Sequence, residues 1–220
     1  MGSIDYKKLY KLQDEVLDVV FSTESIFYLT GGTCLSRFYK EKRYSDDLDF
    51  FTHINDDFSR GIREIKIALE KKFKIKEEVS SKDFVRFKVN DFLQIDFVND
   101  RVMRYEKTIH LDNGYIIDNC ENILANKITA VIGRDSAKDI FDIYLIDTFY
   151  HYEWDKILEI AHNKAGFSNH DLIIRLKTFP LSLLQNIIIV DNGFLEDFET
   201  KYNLLIDKIE QAIENGEDIK

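Results

Sequence analysis

Ser45-Asp46-Asp47-Leu48-Asp49-Phe50-Phe51-Thr52 is the stretch on which the reading of this chain turns. Side chains two apart on a β-strand point to the same face, so a strand over Asp47–Thr52 projects Asp47 and Asp49 together and turns Leu48 and Phe50 the other way. Two carboxylates held side by side repel, and each raises the other's pKa. A divalent cation between them removes that cost. An all-oxygen ligand set suits Mg²⁺, which keeps waters and substrate phosphates in its shell, with Mn²⁺ as an alternative. A short Asp-x-Asp triplet also arises by chance on solvated strand edges, so its weight comes from its surroundings.

Upstream, Ile26 to Thr30 reads as a short strand ending at Gly31-Gly32, with Thr33 placed to cap a helix running to about Lys40. Backbone N–H groups at such a helix start suit an anion such as a triphosphate. No Gly-Lys-Ser/Thr follows the glycines, so they do not form a Walker loop. Downstream, Lys74–Val79, Phe84–Val89 and Phe92–Val98 alternate apolar and polar residues and read as three strands. The last two are joined by a turn at Asn90-Asp91. The third carries a lone carboxylate, Asp96, on a face with Gln94 and Val98 and opposite Leu93, Ile95 and Phe97. A third carboxylate on a neighbouring strand completes a two-metal site, which activates an attacking hydroxyl and stabilises a leaving pyrophosphate.

Further out, residues 5–22 carry Leu9, Leu12, Val16, Val19 and Val20 at helical spacing, and Ile62–Lys72 is a second amphipathic helix. Past about residue 118 every segment reads as helix. The first runs from an Asp118 or Asn119 cap to Ile132 with Gly133 as its stop. Asp139–Tyr152, Glu153–Lys164, Asn169–Phe179 after a Ser168 cap, and a long helix near Phe194–Asn215 follow. The expected fold class is α+β: a lobe over residues 1–118 with a mixed sheet flanked by helices, then a helical lobe over 119–220. In the helical part Lys127 and Arg134, seven apart, share a face if their helix persists. Asp139 and Asp142 share a face one turn into the next helix, where Lys138 and Asp142 are spaced to pair. As surface pairs these contribute only about 0.3–0.5 kcal/mol each; as a group, the cations suit a nucleotide's phosphates.

Taken together, Gly31-Gly32-Thr33-Cys34-Leu35 followed by Arg43-Tyr44-Ser45-Asp46-Asp47-Leu48-Asp49-Phe50-Phe51 resembles the first motif of the nucleotidyltransferases of the AbiEii/AbiGii toxin family, a glycine pair and then R-x-S-x-D-L-D-F-F. Asp96 in Gln94-Ile95-Asp96-Phe97 resembles the second motif. Lys127, Arg134, Lys138-Asp139 and Asp142 resemble the third and fourth, K-x4-S/T-x-R and D-x-x-D, except that Ile132 stands where the third has Ser or Thr. The resemblance spans roughly residues 26 to 147. It implies a nucleotidyltransferase-like first lobe and a helical lobe that completes the nucleotide site. Asp47, Asp49 and Asp96 would bind metal and act in catalysis together with Asp139. Gly31, Gly32, Thr33, Arg43, Ser45, Lys127, Arg134, Lys138 and Asp142 would bind nucleotide. It further implies an NTP substrate, an RNA acceptor such as a tRNA 3′ end, an antitoxin protein as partner, and phage defence as one context.

Composition bounds the rest. The chain's 220 residues, 45% hydrophobic and 32% charged with 17 Phe and 11 Tyr, are enough for one sizeable core or two small lobes. The net charge of −10 disfavours non-specific nucleic-acid binding. It also supports a second reading, transfer to a small-molecule or protein hydroxyl; a catalytically inert binding module is a third. Cys34 and Cys120 show no metal or redox spacing and read as small buried residues. The five histidines show no ligand spacing. The basic run Glu70 to Lys76 reads as a solvated helix end. The longest apolar run, Ile187–Val190, is far short of a membrane span, so a soluble cytoplasmic protein with no membrane partner is expected.

Overall fold

The computed structural model describes residues 5–24, 26–53 and 55–217. The chain forms two compact units, one from residues up to 39 together with 45–119, the other from 40–44 together with 120 onward.

The first unit is organised by a seven-stranded mixed sheet: β1 (Tyr28–Thr30), β2 (Asp47–Thr52), β3 (Ile75–Ser80), β4 (Phe84–Val89), β5 (Leu93–Asn99), β6 (Ile109–His110) and β7 (Ile116–Ile117), in the order β3-β4-β5-β2-β1-β7-β6. β2 runs parallel to β5 and β1 parallel to β7. Alternation along the strands decides the faces. Leu48, Phe50, Val85, Phe87, Ile95 and Phe97 are all buried. Helices α1 (Tyr6–Thr23), α2 (Gly31–Cys34) and α3 (Phe58–Glu70) accompany the sheet. Phe21 of α1 packs edge-on against Phe50, and Phe27 packs against both Phe58 of α3 and Phe97. Each fully buried phenylalanine contributes about 1.5–3 kcal/mol. Because α1 and α3 cover the apolar face, the polar strand positions share the other one.

Local details depart from the sequence reading. Thr33 does not cap a helix. α2 starts at Gly31 with Thr30 as its N-cap residue, and continues as a π-helical turn over Leu35–Tyr39. The β4–β5 connection takes in Phe92 as well as Asn90 and Asp91, and β5 starts at Leu93. Asn90 and Asp91 both hold positive φ, 52° and 57°, as short Asn- and Asp-bearing turns favour. β6 and β7, two residues each, are too short to show periodicity. Val79 on β3 and Met103 are exposed, as are Lys74 and Lys76 of the basic run.

The second unit consists of α4 (Cys120–Gly133), α5 (Ala137–Tyr150), α6 (Trp154–Lys164), α7 (Asn169–Thr178) and α8 (Phe198–Glu217), with two 3-10 turns at Leu181–Asn186 and Asn192–Leu195. Ser168 caps α7 as expected, accepting from the Asp171 N–H at 2.9 Å. Gly133 is the last residue of α4, not a left-handed stop. Residues 42–44 lie antiparallel to 188–190, through Tyr44 N–H to the Ile188 carbonyl (2.9 Å) and Val190 N–H to the Lys42 carbonyl (3.0 Å). α5 is buried nearly all round: Ile140, Phe141, Ile143, Tyr144, Leu145 and Ile146 are core residues. Asp139 and Asp142 lie on that same helix, so they too are buried and must be paired. Cys34 and Cys120 are buried, as read, and are not joined in a disulfide. Among the described residues, no helix is long and apolar enough to cross a membrane.

Candidate active site

Three carboxylates stand on the polar face of the first unit's sheet. Asp47 and Asp49 alternate with buried Leu48 and Phe50 along β2. The parallel β2–β5 register sets Asp96 directly beside Asp49 and Gln94 beside Asp47. Paired residues of adjacent strands point the same way, so the three aspartates from two stretches of chain share one surface. Gly31 lies against them: a Cβ built there would stand 2.6 Å from Asp49 Oδ2, and Gly31 itself holds φ +70°. The Thr33 hydroxyl donates to the Asp47 carbonyl, so its side chain secures β2, and what it can offer an anion is backbone. Gly32 and Ser45 are buried, and the Ser45 carbonyl accepts from Gln13 Nε2 at 3.0 Å. The glycine turn is tied further by Thr30, whose hydroxyl donates to Asp118 Oδ2 at 2.6 Å. Asp118, proposed from sequence as a helix cap, also takes Arg104 and the Asn119 N–H on its other oxygen.

Gly31→Ala should therefore damage the site in two ways. A left-handed non-glycine residue costs about 1–2 kcal/mol, which for a chain of this size lowers the melting midpoint by roughly 5 °C. The new methyl also displaces the Asp49 carboxylate. Thermal melting and a Mn²⁺ titration should both register the change; an alanine variant that melted and bound metal like the parent would show that the turn tolerates a side chain.

Asp96 is not idle. Arg86, its cross-strand neighbour on β4, donates Nε to Oδ1 and Nη2 to Oδ2, both at 2.7 Å, and Gln94 Nε2 donates to Oδ2 at 3.2 Å. Asp96 raises the Arg86 pKa through that hydrogen-bonded pair. Among the described residues, no group of three or more His, Cys, Asp or Glu side chains is gathered tightly enough to hold a metal ion. The donor set itself, three carboxylates on one face beside a glycine turn, is that of a hard divalent cation. It would take such an ion only with the three carboxylates drawn closer together and Arg86 off the Asp96 oxygens. Sequence reading missed Arg86. The alternation Phe84-Val85-Arg86-Phe87-Lys88 puts it on the polar face, but its partner depends on the hairpin loop. A two-residue loop would set Arg86 opposite Ile95, while the observed three-residue loop sets it opposite Asp96.

The second unit carries the remaining sequence-marked residues, and it brings most of them together. Arg43 grips Asp142 through Nε to Oδ1 and Nη2 to Oδ2, both 2.7 Å. Lys127 Nζ reaches Asp139 at 2.7 Å and Asp142 at 2.8 Å. Arg134 Nε donates to Asp139 Oδ2 at 2.7 Å, with its side chain 62% exposed against 1% for Asp139. Three cations face two carboxylates. The expected Lys138–Asp142 spacing is thus overshadowed by Arg43 and Lys127, which hold Asp142 from outside its own helix. Lys138 is half-buried and lines a cavity of about 240 Å³ with Asp135, Ser136, Asn186 and Ile187.

Burial by itself would raise both carboxyl pKa values, but Arg43 and Lys127 at Asp142, and Lys127 and Arg134 at Asp139, hold them below the usual range. Burial would lower Lys127, but Asp142 and Asp139 outweigh it and hold the ammonium above its usual value. The depressed carboxyls contribute stability that is whole above their unfolded pKa and is lost as pH falls through the folded values. The raised lysine contributes stability that is whole below its unfolded pKa and is lost as pH climbs through its folded one. The cluster is therefore intact from about pH 4 to about pH 10. The melting-point gap between wild type and Asp142→Asn should be constant across that window and narrow below it; a gap that stayed constant down to pH 2 would contradict the assignment.

The sequence model of a family described as the nucleotidyl transferase AbiEii toxin of type IV toxin–antitoxin systems matches residues 18–218. An uncharacterized protein of Aquifex aeolicus is 29% identical over 172 residues, covering 77% of this chain and 82% of that one. The crystal structure of JHP933 from Helicobacter pylori superposes with a TM-score of 0.60 at 20% identity, over 99% of this chain and 96% of that one. The antibiotic-resistance factor ANT(2'')-Ia superposes with a TM-score of 0.52 at 15% identity, over 72% of this chain and 91% of that one. At these identities the structural likenesses establish the fold.

Proposed function

The chain belongs to the nucleotidyl transferase AbiEii toxin family of type IV toxin–antitoxin systems, and from that premise we propose that it uses Mg²⁺, or Mn²⁺, to transfer a nucleoside monophosphate from an NTP to the hydroxyl of an RNA 3′ end, restrained by a separate antitoxin protein. The observation that carries the metal-dependent reading is the parallel register that sets Asp96 beside Asp49 on the same face as Asp47.

In this reading Asp47, Asp49 and Asp96 hold the cation, and Gly31, Gly32 and Thr33 offer backbone N–H groups to the β- and γ-phosphates. The bound metal supplies Lewis-acid stabilisation of charge on the phosphoryl oxygens and on the leaving pyrophosphate. The acceptor oxygen attacks the α-phosphorus, the bond to the β-phosphate oxygen breaks, and Asp96 helps to draw the proton from the attacking hydroxyl. In the second unit Arg134 and Lys138 are the proposed nucleotide contacts. Asp139, which touches both Arg134 and Lys127, aims those cations, and Arg43 with Asp142 anchors α5 behind them. The sheet face around the aspartates also carries Lys88, opposite Gln94 in the β4–β5 register, a cation suited to an acceptor's phosphates.

The net charge of −10 keeps a second acceptor class in play, a small-molecule or protein hydroxyl. One experiment separates them. The protein is incubated with each of four α-labelled NTPs, Mg²⁺ or Mn²⁺, total RNA and total protein. Label on RNA that requires metal and disappears in Asp49→Asn supports the proposal. Label on protein or on a small molecule reassigns the acceptor. No label anywhere with wild-type protein in either metal would sink the transferase reading.

A further inference from the structure

We propose that Arg86 is a resident counter-cation for Asp96, holding the third carboxylate until a divalent metal displaces it, so that Arg86 sets the metal concentration at which the site assembles. The inference rests on the reading that Asp47, Asp49 and Asp96 bind the cation. Its basis is geometric. Arg86 spends two parallel donors on both oxygens of Asp96, at 2.7 Å each. Two-pronged pairing of a guanidinium with a carboxylate is strong and directional. Asp96 stands beside Asp49 on the next strand, so a dication placed among the three aspartates would meet a guanidinium on the same carboxylate. Like charges so close repel, and one cation must leave.

The surroundings allow Arg86 to be the one that leaves. Its side chain is 33% exposed while that of Asp96 is only 10% exposed. Its guanidinium carbon lies 5.5 Å from the centre of the Phe84 ring, a cation–π contact that can hold the group when the ion pair opens. Glu78 on β3, itself paired with Lys76 at 3.2 Å, and Asp47 also act on it electrostatically. Asp96, by contrast, is fixed by its place in β5 and by Gln94. The arrangement makes Arg86 a positioning residue for metal entry: in the metal-free state it neutralises Asp96 and prevents mutual repulsion among the aspartates from distorting β2 and β5.

The test is metal binding by the full chain, measured from the electron-spin resonance signal of free Mn²⁺ in wild type, Arg86→Gln and Asp49→Asn. Displacement predicts that Arg86→Gln binds Mn²⁺ tighter, by roughly tenfold, because no competing cation remains, and that Asp49→Asn binds far more weakly than wild type. Unchanged or weaker binding by Arg86→Gln, with binding lost in Asp49→Asn, would overturn the role of Arg86 and leave the metal site standing. Unchanged binding in Asp49→Asn would overturn the metal site itself. A second readout follows Arg86 itself in the wild-type protein, with the Arg86→Gln variant used only to assign its signal. In ¹⁵N-labelled wild-type protein the Arg86 Nε–H resonance, assigned by its absence from Arg86→Gln, should move on saturation with Mg²⁺ to the position it holds in metal-free Asp96→Asn. A resonance that stayed at its metal-free position would overturn the displacement.

Discussion

Asp49→Asn is expected to lower metal-dependent nucleotidyl transfer on the order of 10³-fold while the protein melts at or slightly above the wild-type temperature. The expectation follows from where Asp49 stands: between Asp47 on its own strand and Asp96 on the next, with Gly31 against its carboxylate. Loss of one anionic oxygen weakens the ion's hold and its stabilisation of the pyrophosphate, and about 4 kcal/mol of lost transition-state stabilisation corresponds to that factor. Asparagine matches aspartate in shape, so packing against the glycine turn persists, and removing the Asp49 charge relieves its repulsion with Asp47. Initial rates of label transfer at saturating NTP, set beside a melting curve, test both halves. A variant within tenfold of wild type would mean that Asp49 holds no metal in the reactive complex.

Asp142→Asn should produce the largest loss of stability. It leaves the Arg43 guanidinium and the Lys127 ammonium without their shared carboxylate at a site where Arg43 is 2% and Asp142 1% exposed. Removing one partner of a buried ion pair costs about 3–5 kcal/mol, and in a chain of this length that lowers the melting midpoint by roughly 10 °C. The physical cause is the unpaired charge rather than the missing contact. The double variant Arg43→Met with Asp142→Leu should therefore recover much of the loss, since Lys127 keeps Asp139. Melting curves for Arg43→Met, Asp142→Leu and the double variant form a coupling cycle. Simple additivity of the two losses would show that the pair does not act as a unit.

The carboxylate face could be read directly: alternation in Asp47–Thr52 and in Phe92–Val98 states which side chains point together, and the observed strands Asp47–Thr52 and Leu93–Asn99 keep Leu48, Phe50, Ile95 and Phe97 on the buried side. The Ser168 cap and the buried cysteines were local or compositional signals, and they appear where expected. Lys127, Arg134, Asp139 and Asp142 were each marked from spacing and motif, and the structure shows them paired with one another in a way that spacing did not indicate. Asp142 takes its strongest partner from Arg43, 99 residues earlier in the chain. Thr33 was misplaced because a helix can start on a left-handed glycine, and Gly31 does so without a side-chain cap.

What the sequence by itself determined is the family, the periodic elements and the identity of the acidic face, because pleat and helix repeats are written in neighbouring residues. What only the tertiary structure decided is pairing. Arg86 meets Asp96 through the length of one loop, Asp49 meets Asp96 through a parallel register, and Arg43 meets Asp142 through the packing of the helical unit. Those contacts depend on how distant segments are brought into register, and a one-residue shift would exchange every partner while leaving the local pattern unchanged.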